Sequence, residues 1–256
     1  MKACCPWRWV ASGKHPSVID YINIGQGFSL ASSFSEWLSK GYQAEMPQKN
    51  SGHSGCSWRF WVKGKSKNEI SCGLLKDSSD SIGRPYPLLI MGNGSLEGWE
   101  GNWNLVPEVC EAVWNRMEKL SCENFGNLKV LEQELVSLPQ PLPVWSDSLK
   151  AVDSALQENS GMSSADFAFF FEQIQGLSGK NAGFIVLDQF NDYDRIIKVT
   201  LAGTVLKRCR AGVPSTVFIG GTAELTCYAF FHRPLTISDF STLWTRLSQR
   251  LKVGEQ

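Results

Sequence analysis

The sequence predicts an α/β fold: a mixed, largely antiparallel sheet with helices on both faces. Three observations carry that prediction. Three strand-like segments follow one another between residues 57 and 92, spaced for a meander or hairpin. The third, "YPLLIMG", is almost continuously apolar, as a strand covered on both faces is. Amphipathic helical stretches lie before, after and far beyond those strands, and a sheet with helices packed on it buries all of their apolar faces.

In chain order, Trp7-Arg8-Trp9-Val10 alternates at period two and reads as a short strand. A loop rich in Gly, Pro and Ser follows, through residue 27. A helix begins near Ser29 and runs to about Lys40, with Leu30, Phe34, Trp37 and Leu38 on one face and Gly41 as its stop. Residues 44–57 form a polar loop. "SWRFWVKG" alternates around Trp58, Phe60 and Val62, and puts Trp58 and Trp61 on opposite faces, which leaves room for one of them to be exposed. The basic turn Lys63-Gly64-Lys65-Ser66-Lys67 is a solvated hairpin connection to "EISCGLLK". "LVPEVCEAVWNRMEKL" places Val106, Val109, Cys110, Val113, Trp114 and Met117 on one stripe, and "NLKVLEQELVSL" is a further helix stopped by Pro139, Pro141 and Pro143.

That proline segment is the natural boundary, between an α/β region over 1–138 and a second over 144–256. The second is either a separate domain or the completion of the same sheet. Residues 146–157 and 163–174 read as helices, the latter with Ser163 and Asp166 as a variant capping box. "AGFIVLDQF" is a strand, and "STVFIGG" with "LTCYAFFHR" a hairpin. Residues 195–209 spread their apolar positions too evenly to choose helix or strand. "TISDFSTLWTRLSQRL" closes the chain as an amphipathic helix capped by Ser238 or Asp239, with Phe240, Leu243, Trp244 and Leu247 on its stripe.

Bulk properties exclude several functions. The 25 basic and 25 acidic residues cancel, which removes the electrostatic drive for general nucleic-acid binding. The longest apolar runs fall far short of the ~18 residues of a membrane span. "MKACCPWRWV" lacks the apolar core of a signal peptide, so the expected location is the cytosol. The eight cysteines are scattered without a C-x-x-C and read as reduced thiols, with Cys4-Cys5 an exposed pair; no spacing suits zinc, and no cofactor is expected.

Catalytic motifs are incomplete. "GHSG" at 52–55 has its second glycine one place early for a nucleophile elbow, and nothing singles out His15, His53 or His232 as a base. "GNGSLEG" follows a strand, but its third glycine, Gly98, comes one residue late for a dinucleotide fingerprint. The rival to a binding protein is therefore a small hydrolase or a nucleotide-binding enzyme using the Gly92–Gly98 loop, set against a plain turn.

The most distinctive stretch is "DSSDSIGRPYPLLI". Gly83 suits a positive φ and Pro85 pushes Arg84 towards extended backbone, a geometry that returns the Asp80 carboxylate to the Arg84 guanidinium. A bidentate pair would lock the loop. No second basic residue lies nearby in the sequence, which favours this clasp over an anion site.

The same residues resemble the S-x-D-x-x-G-R-x-Y/F-P-L signature of the TagF family, bacterial proteins associated with type VI secretion. Here it reads from Ser78 through Asp80, Gly83, Arg84 and Tyr86 to Leu88. Gly13-Lys14-His15-Pro16, Asp20-Tyr21, Trp37, Trp58-Arg59-Phe60 and Gly73-Leu74-Leu75 occupy further positions of the family's order, and the resemblance spans about residues 7–91 and, more weakly, 214–247. It implies a three-layer α-β-α sandwich and no enzymatic activity. It also implies a cytosolic accessory role, repressing the secretion machine after translation by binding a scaffold protein with a forkhead-associated domain. Asp20, Asp80, Gly83, Arg84 and Tyr86 would form a structural clasp or partner-binding rim.

Overall fold

A computed structural model describes residues 6–45, 55–143, 145, 171–177, 179–188, 195–209, 212–223 and 225–246. Eight strands form one sheet: β1 (Arg8–Gly13), β2 (Ile22–Gly25), β3 (Ser57–Lys63), β4 (Glu69–Lys76), β5 (Leu88–Ser95), β6 (Ala182–Val186), β7 (Thr216–Gly221) and β8 (Thr226–Phe231). Their order is β2-β1-β5-β4-β3-β7-β8-β6. Every ladder between them is antiparallel, so the sheet is not mixed as expected. β3 pairs with β7, placing Phe60 opposite Phe218, and strands from both sides of the proline segment thereby share the sheet.

The helices are α1 (Ser29–Glu45), α2 (Val106–Cys122), α3 (Leu128–Val136), α4 (Arg195–Arg208) and the short α5 (Ile237–Ser241). A 3-10 segment, Trp99–Leu105, leads into α2, and a π-turn, Thr242–Arg246, follows α5. Strand residues divide at period two between two apolar clusters. Trp61, Cys72, Leu74, Ile90, Val217 and Ile219 gather with Cys110, Trp114 and Met117 of α2, Leu131 and Leu135 of α3, and Val199 and Val205 of α4. Trp58, Phe60, Leu75, Leu89, Met91 and Phe218 gather instead with Phe34, Leu38 and Tyr42 of α1 and Phe240 of α5. With both faces covered, Trp58 and Trp61 are both 0% accessible, so both pack in the core and neither supplies an exposed aromatic.

Three local expectations are corrected, and one stretch left open is resolved. α1 passes through Gly41 and ends at Glu45, because Gly41 is a contact and not a stop: a Cβ there would sit 2.3 Å from the Phe240 ring. β2 lies within the presumed loop, its Ile22 and Ile24 buried and its Asn23 exposed. The undecided stretch 195–209 contains α4. Val199 through Gly203, Val205 and Leu206 are all buried there, so it has no polar stripe from which its period could be read. At α5 the N-cap is Thr236, and Asp239 is its N3 partner in a capping box, in place of the Ser238 or Asp239 cap. Helices expected over 146–157 and 163–174, with the Ser163–Asp166 cap, Leu247 and Cys4-Cys5 fall outside the described residues, apart from a helical stretch at 171–175.

Candidate functional site

The signature segment connects β4 to β5 and folds back on itself. Ser79 bridges Pro85, the Tyr86 N–H donates to the Ser78 carbonyl at 3.0 Å, and the Gly83 N–H donates to the Asp80 carbonyl at 2.9 Å. Gly83 adopts φ 84°, the left-handed region open to glycine. Inside the turn lies Asp80, its side chain 0% exposed. Its Oδ1 accepts the Arg84 N–H at 2.9 Å and the Ile82 N–H at 3.2 Å; its Oδ2 accepts Arg84 Nε at 2.6 Å and Lys14 Nζ at 3.0 Å.

Two details differ from the sequence reading. A second basic residue is present: Lys14 comes from the β1–β2 loop. The Asp80–Arg84 pair also uses one arm of the guanidinium only, because backbone N–H groups occupy Oδ1 and Lys14 shares Oδ2. Burial alone would raise the Asp80 carboxyl. The Arg84 N–H, the Lys14 and Arg84 side chains and the Ile82 N–H outweigh it and hold the group well below the usual carboxylate range.

The other arm of Arg84 reaches the β1–β2 loop. Nη2 donates to the Ile19 carbonyl and lies 3.4 Å from Asp20 Oδ1, while the Ser81 N–H donates to the Val18 carbonyl at 2.9 Å. Asp20 is the outermost member, its side chain 89% exposed. Tyr86 packs edge-on against Tyr21 at 5.4 Å and Tyr42 at 4.9 Å, and the Tyr42 hydroxyl donates to the Pro85 carbonyl. All five predicted residues, Asp20, Asp80, Gly83, Arg84 and Tyr86, thus lie in or against one two-loop rim at the end of the sheet where β1 and β4 finish and β5 begins.

His15 anchors the same rim from below. It is fully buried, its Nε2–H donates to the Leu120 carbonyl at 2.8 Å, and its Nδ1 accepts the Ser17 N–H at 3.1 Å. Both nitrogens of the neutral ring are therefore committed to backbone groups, where a triad base meets a serine hydroxyl and a carboxylate. Burial lowers its pKa, the Leu120 bond partly opposes this, and Lys76 adds to the lowering. Ser17 completes the link to the end of α2: its Oγ donates to the Glu123 carbonyl and accepts the Phe125 N–H.

Sequence reasoning did not single out Arg59, although it stands in the quoted "WRF" element. It is 6% exposed, in the middle of β3. Nε donates to Glu118 Oε1 at 2.7 Å and Nη1 to Glu111 Oε2 at 2.7 Å, while Nη2 serves Asn115 Oδ1 at 2.7 Å and Glu118 Oε2 at 3.0 Å. The guanidinium also lies 5.9 Å from the Trp114 ring centre. A lone charge within an apolar strand was the signal available. Beside it, a cavity of about 60 Å³ opens between α2, α4 and β7, walled by Arg59, Glu111, Trp114 and Arg195.

Two of the three glycines of "GNGSLEG" are strand residues, and the third, Gly98 at φ 76°, sits in the turn that follows β5. Gly92 and Gly94 lie inside β5, with Gly92 opposite Trp9 and flat against it. A Cβ on Gly92 would fall 1.9 Å from the Trp9 ring, and one on Gly94 2.6 Å from Trp7. These glycines make room for two tryptophans stacked at 5.4 Å, a cross-strand role that leaves no backbone turn to cradle a phosphate. The nucleotide-enzyme alternative thereby loses the Gly92 and Gly94 part of its loop. Of "GHSG", only Gly55 is described.

Among the described residues no helix is long and apolar enough to cross a membrane. Residues 11–137 match the family described as TagF N-terminal domain, type VI secretion system-associated. No curated protein matches the sequence. Among solved structures, the crystal structure of PA0076 from Pseudomonas aeruginosa PAO1 is similar over 93% of this chain and 94% of that one, with a TM-score of 0.53 at 14% identity, a likeness of fold. The matched residues hold the whole two-loop rim, from Lys14 to Tyr86, together with Arg59 and its partners on α2, and through them the chain belongs to the TagF family of type VI secretion system-associated proteins.

Proposed function

We propose that this protein is a non-enzymatic regulator of type VI secretion that acts by contact. It occupies a surface of a cytosolic secretion component, a scaffold with a forkhead-associated domain, and so represses assembly or firing after translation. The observation that carries this reading is the rim. Its carboxylate is sealed from solvent and fully used by Arg84, Lys14 and two backbone N–H groups, and its histidine is spent on two backbone bonds. Such groups fix the shape of loops; a nucleophile or general base needs a free lone pair facing a substrate. The reading calls for no cofactor and places the chain in the cytoplasm. It treats residues 1–138 and 144–256 as one unit, because β3 and β7 are hydrogen-bonded neighbours. The two apolar clusters support a three-layer α-β-α arrangement.

The test is a binding measurement between the purified full chain and the purified forkhead-associated scaffold, repeated with the other cytosolic secretion components. Saturable binding is expected for the scaffold. Binding to none of them would reject the reading. A thermal shift produced by nucleotides or acyl esters would favour the enzymatic rival.

A further inference from the structure

We infer that Ile19, Tyr21 and Ile82 are the contact surface of the rim, and that the partner meets them with an apolar patch carrying an arginine or lysine opposite Asp20. This rests on the reading above that the rim binds a secretion component, and it names the face and the chemistry.

Three facts lead to it. First, the rim exposes large apolar side chains where polar ones would cost nothing: Ile19 is 57%, Tyr21 48% and Ile82 63% exposed. They belong to two loops that bond directly to each other, through Arg84 to the Ile19 carbonyl and Ser81 to the Val18 carbonyl, so they form one group. An exposed apolar group within a polar surround marks an interaction site.

Second, the group is held in place before any partner arrives. The Ile82 N–H is tied to Asp80, the Ile19 carbonyl to Arg84, and the Tyr21 ring rests on Tyr86. Loops already ordered lose little conformational freedom on binding, so the contact area converts into affinity more fully.

Third, the charges are layered by depth. Asp80 is sealed and offset by Arg84 and by Lys14, whose side chain is only 17% exposed. Asp20 stands outermost at 89%, held by a single 3.4 Å contact to Arg84. Arg84 is half exposed beside it, but Asp20 projects furthest, so an incoming surface meets that carboxylate first, and a cation complements it. Such a pair at the margin of an interface acts mainly on association rate and partner choice.

The test uses the full chain with a photo-crosslinking residue at position 19, 82 or, as a control, 136, where Val136 is an exposed apolar residue of α3 that belongs to neither loop. Each is irradiated with the individually purified cytosolic secretion components. The expected result is a cross-link to one component from positions 19 and 82 and none from 136, with a lysine or arginine in the cross-linked peptide. Asp20→Lys is expected to weaken binding about tenfold, and reversing the partner's basic residue to restore it. Ile19→Ser with Ile82→Ser should abolish binding with an unchanged circular dichroism spectrum. Cross-links from 136 alone, or full binding by the double serine variant, would overturn this surface while leaving the regulatory reading intact. Unchanged affinity in Asp20→Lys would overturn the basic partner. Absence of any cross-link or binding to any component would end both.

Discussion

Two arginines anchor two regions of the matched domain, one in the middle of the sheet and one at its end, and they do different work. Arg59 projects from the middle of the sheet and spends four bonds on Glu111, Asn115 and Glu118, three residues that share one face of α2. Arg84 sits at the end of the sheet, its side chain half exposed, and spends its bonds on one carboxylate, one carbonyl and a long contact to Asp20. The first joins a helix to a sheet; the second joins a loop to a loop. A charge in the core holds the fold, and the same charge at the margin fixes the shape of a surface, so their loss should appear in different measurements.

Breaking the core arginine should have the largest effect. Arg59→Leu leaves Glu111 and Glu118 facing the sheet without their cation. Removing one partner of a buried pair costs about 3–5 kcal/mol. The lower value applies here, because the two carboxylates keep 36% and 35% of their side-chain surface in water. At ~2–4 °C per kcal/mol for a chain of this size, the melting temperature should fall by roughly 6–12 °C. A fall below ~2 °C by calorimetry would mean that α2 is held by its apolar stripe alone.

The next effect comes from the strand that runs between the two regions. β5 leaves the rim at Leu88 and passes under the tryptophans at Gly92. Gly92→Val drives a side chain into the Trp9 ring, and overpacking of this kind costs about 1–3 kcal/mol. Denaturant titration should show that loss, with Trp9 fluorescence changed in the native state. A Gly92→Val protein as stable as the parent would show that Trp9 can move aside.

Arg84→Ala sharpens the contrast most directly. The sheet and α2 keep their contacts, so the global transition should move less than for Arg59→Leu. Amide exchange should instead rise over residues 14–21 and 78–86, the loops that Arg84 joins, and not over β3 or α2. Uniform exchange throughout the domain would place Arg84 in the same class as Arg59.

The rim was more legible in the sequence than the core arginine, for a physical reason. A turn declares itself locally: Gly83 and Pro85 fix the backbone around Asp80 and Arg84 within a few residues. What the turn could not show was Lys14, brought to Oδ2 by the pairing of β1 with β5. Arg59 has partners only on a helix some fifty residues later, and no local pattern connects "WRF" to "EVCEAVWNRME" without the fold. Period-two segments were readable wherever polar residues alternated, as at β3. β2 was hidden because its four residues sit among turn formers, and α4 because burial all round erased its stripe. Gly41 and Gly92 misled in the same way: each resembled punctuation, and each is a place where an aromatic ring comes too close for a Cβ.

The smallest expected effect is a pH dependence, to which the rim contributes His15 and Asp80. His15 has an ordinary pKa of 6.5, and burial lowers it in the folded protein. Below 6.5 the unfolded chain therefore takes up a proton that the folded chain resists. The stability His15 contributes is complete above 6.5 and is lost progressively as pH falls towards its folded pKa. His232, also lowered by burial, acts in the same direction. Asp80, ordinarily 3.8 and held well below it, adds a second loss only in stronger acid, below 3.8. Melting temperatures between pH 7.5 and 3 should accordingly fall in two stages. His15→Gln should flatten the first stage, leaving the part due to His232, and Asp80→Asn should reduce the second, leaving the part due to Asp239, Glu118 and Glu69, whose carboxyls are also lowered. Arg59→Leu should lower the whole curve, keep the first stage and weaken the second, because, against burial, Arg59 holds the Glu118 carboxyl below its ordinary range. If His15→Gln leaves the slope between pH 6.5 and 5 unchanged, the ring is not held neutral between Leu120 and Ser17, and the rim rests on the Asp80 clasp alone.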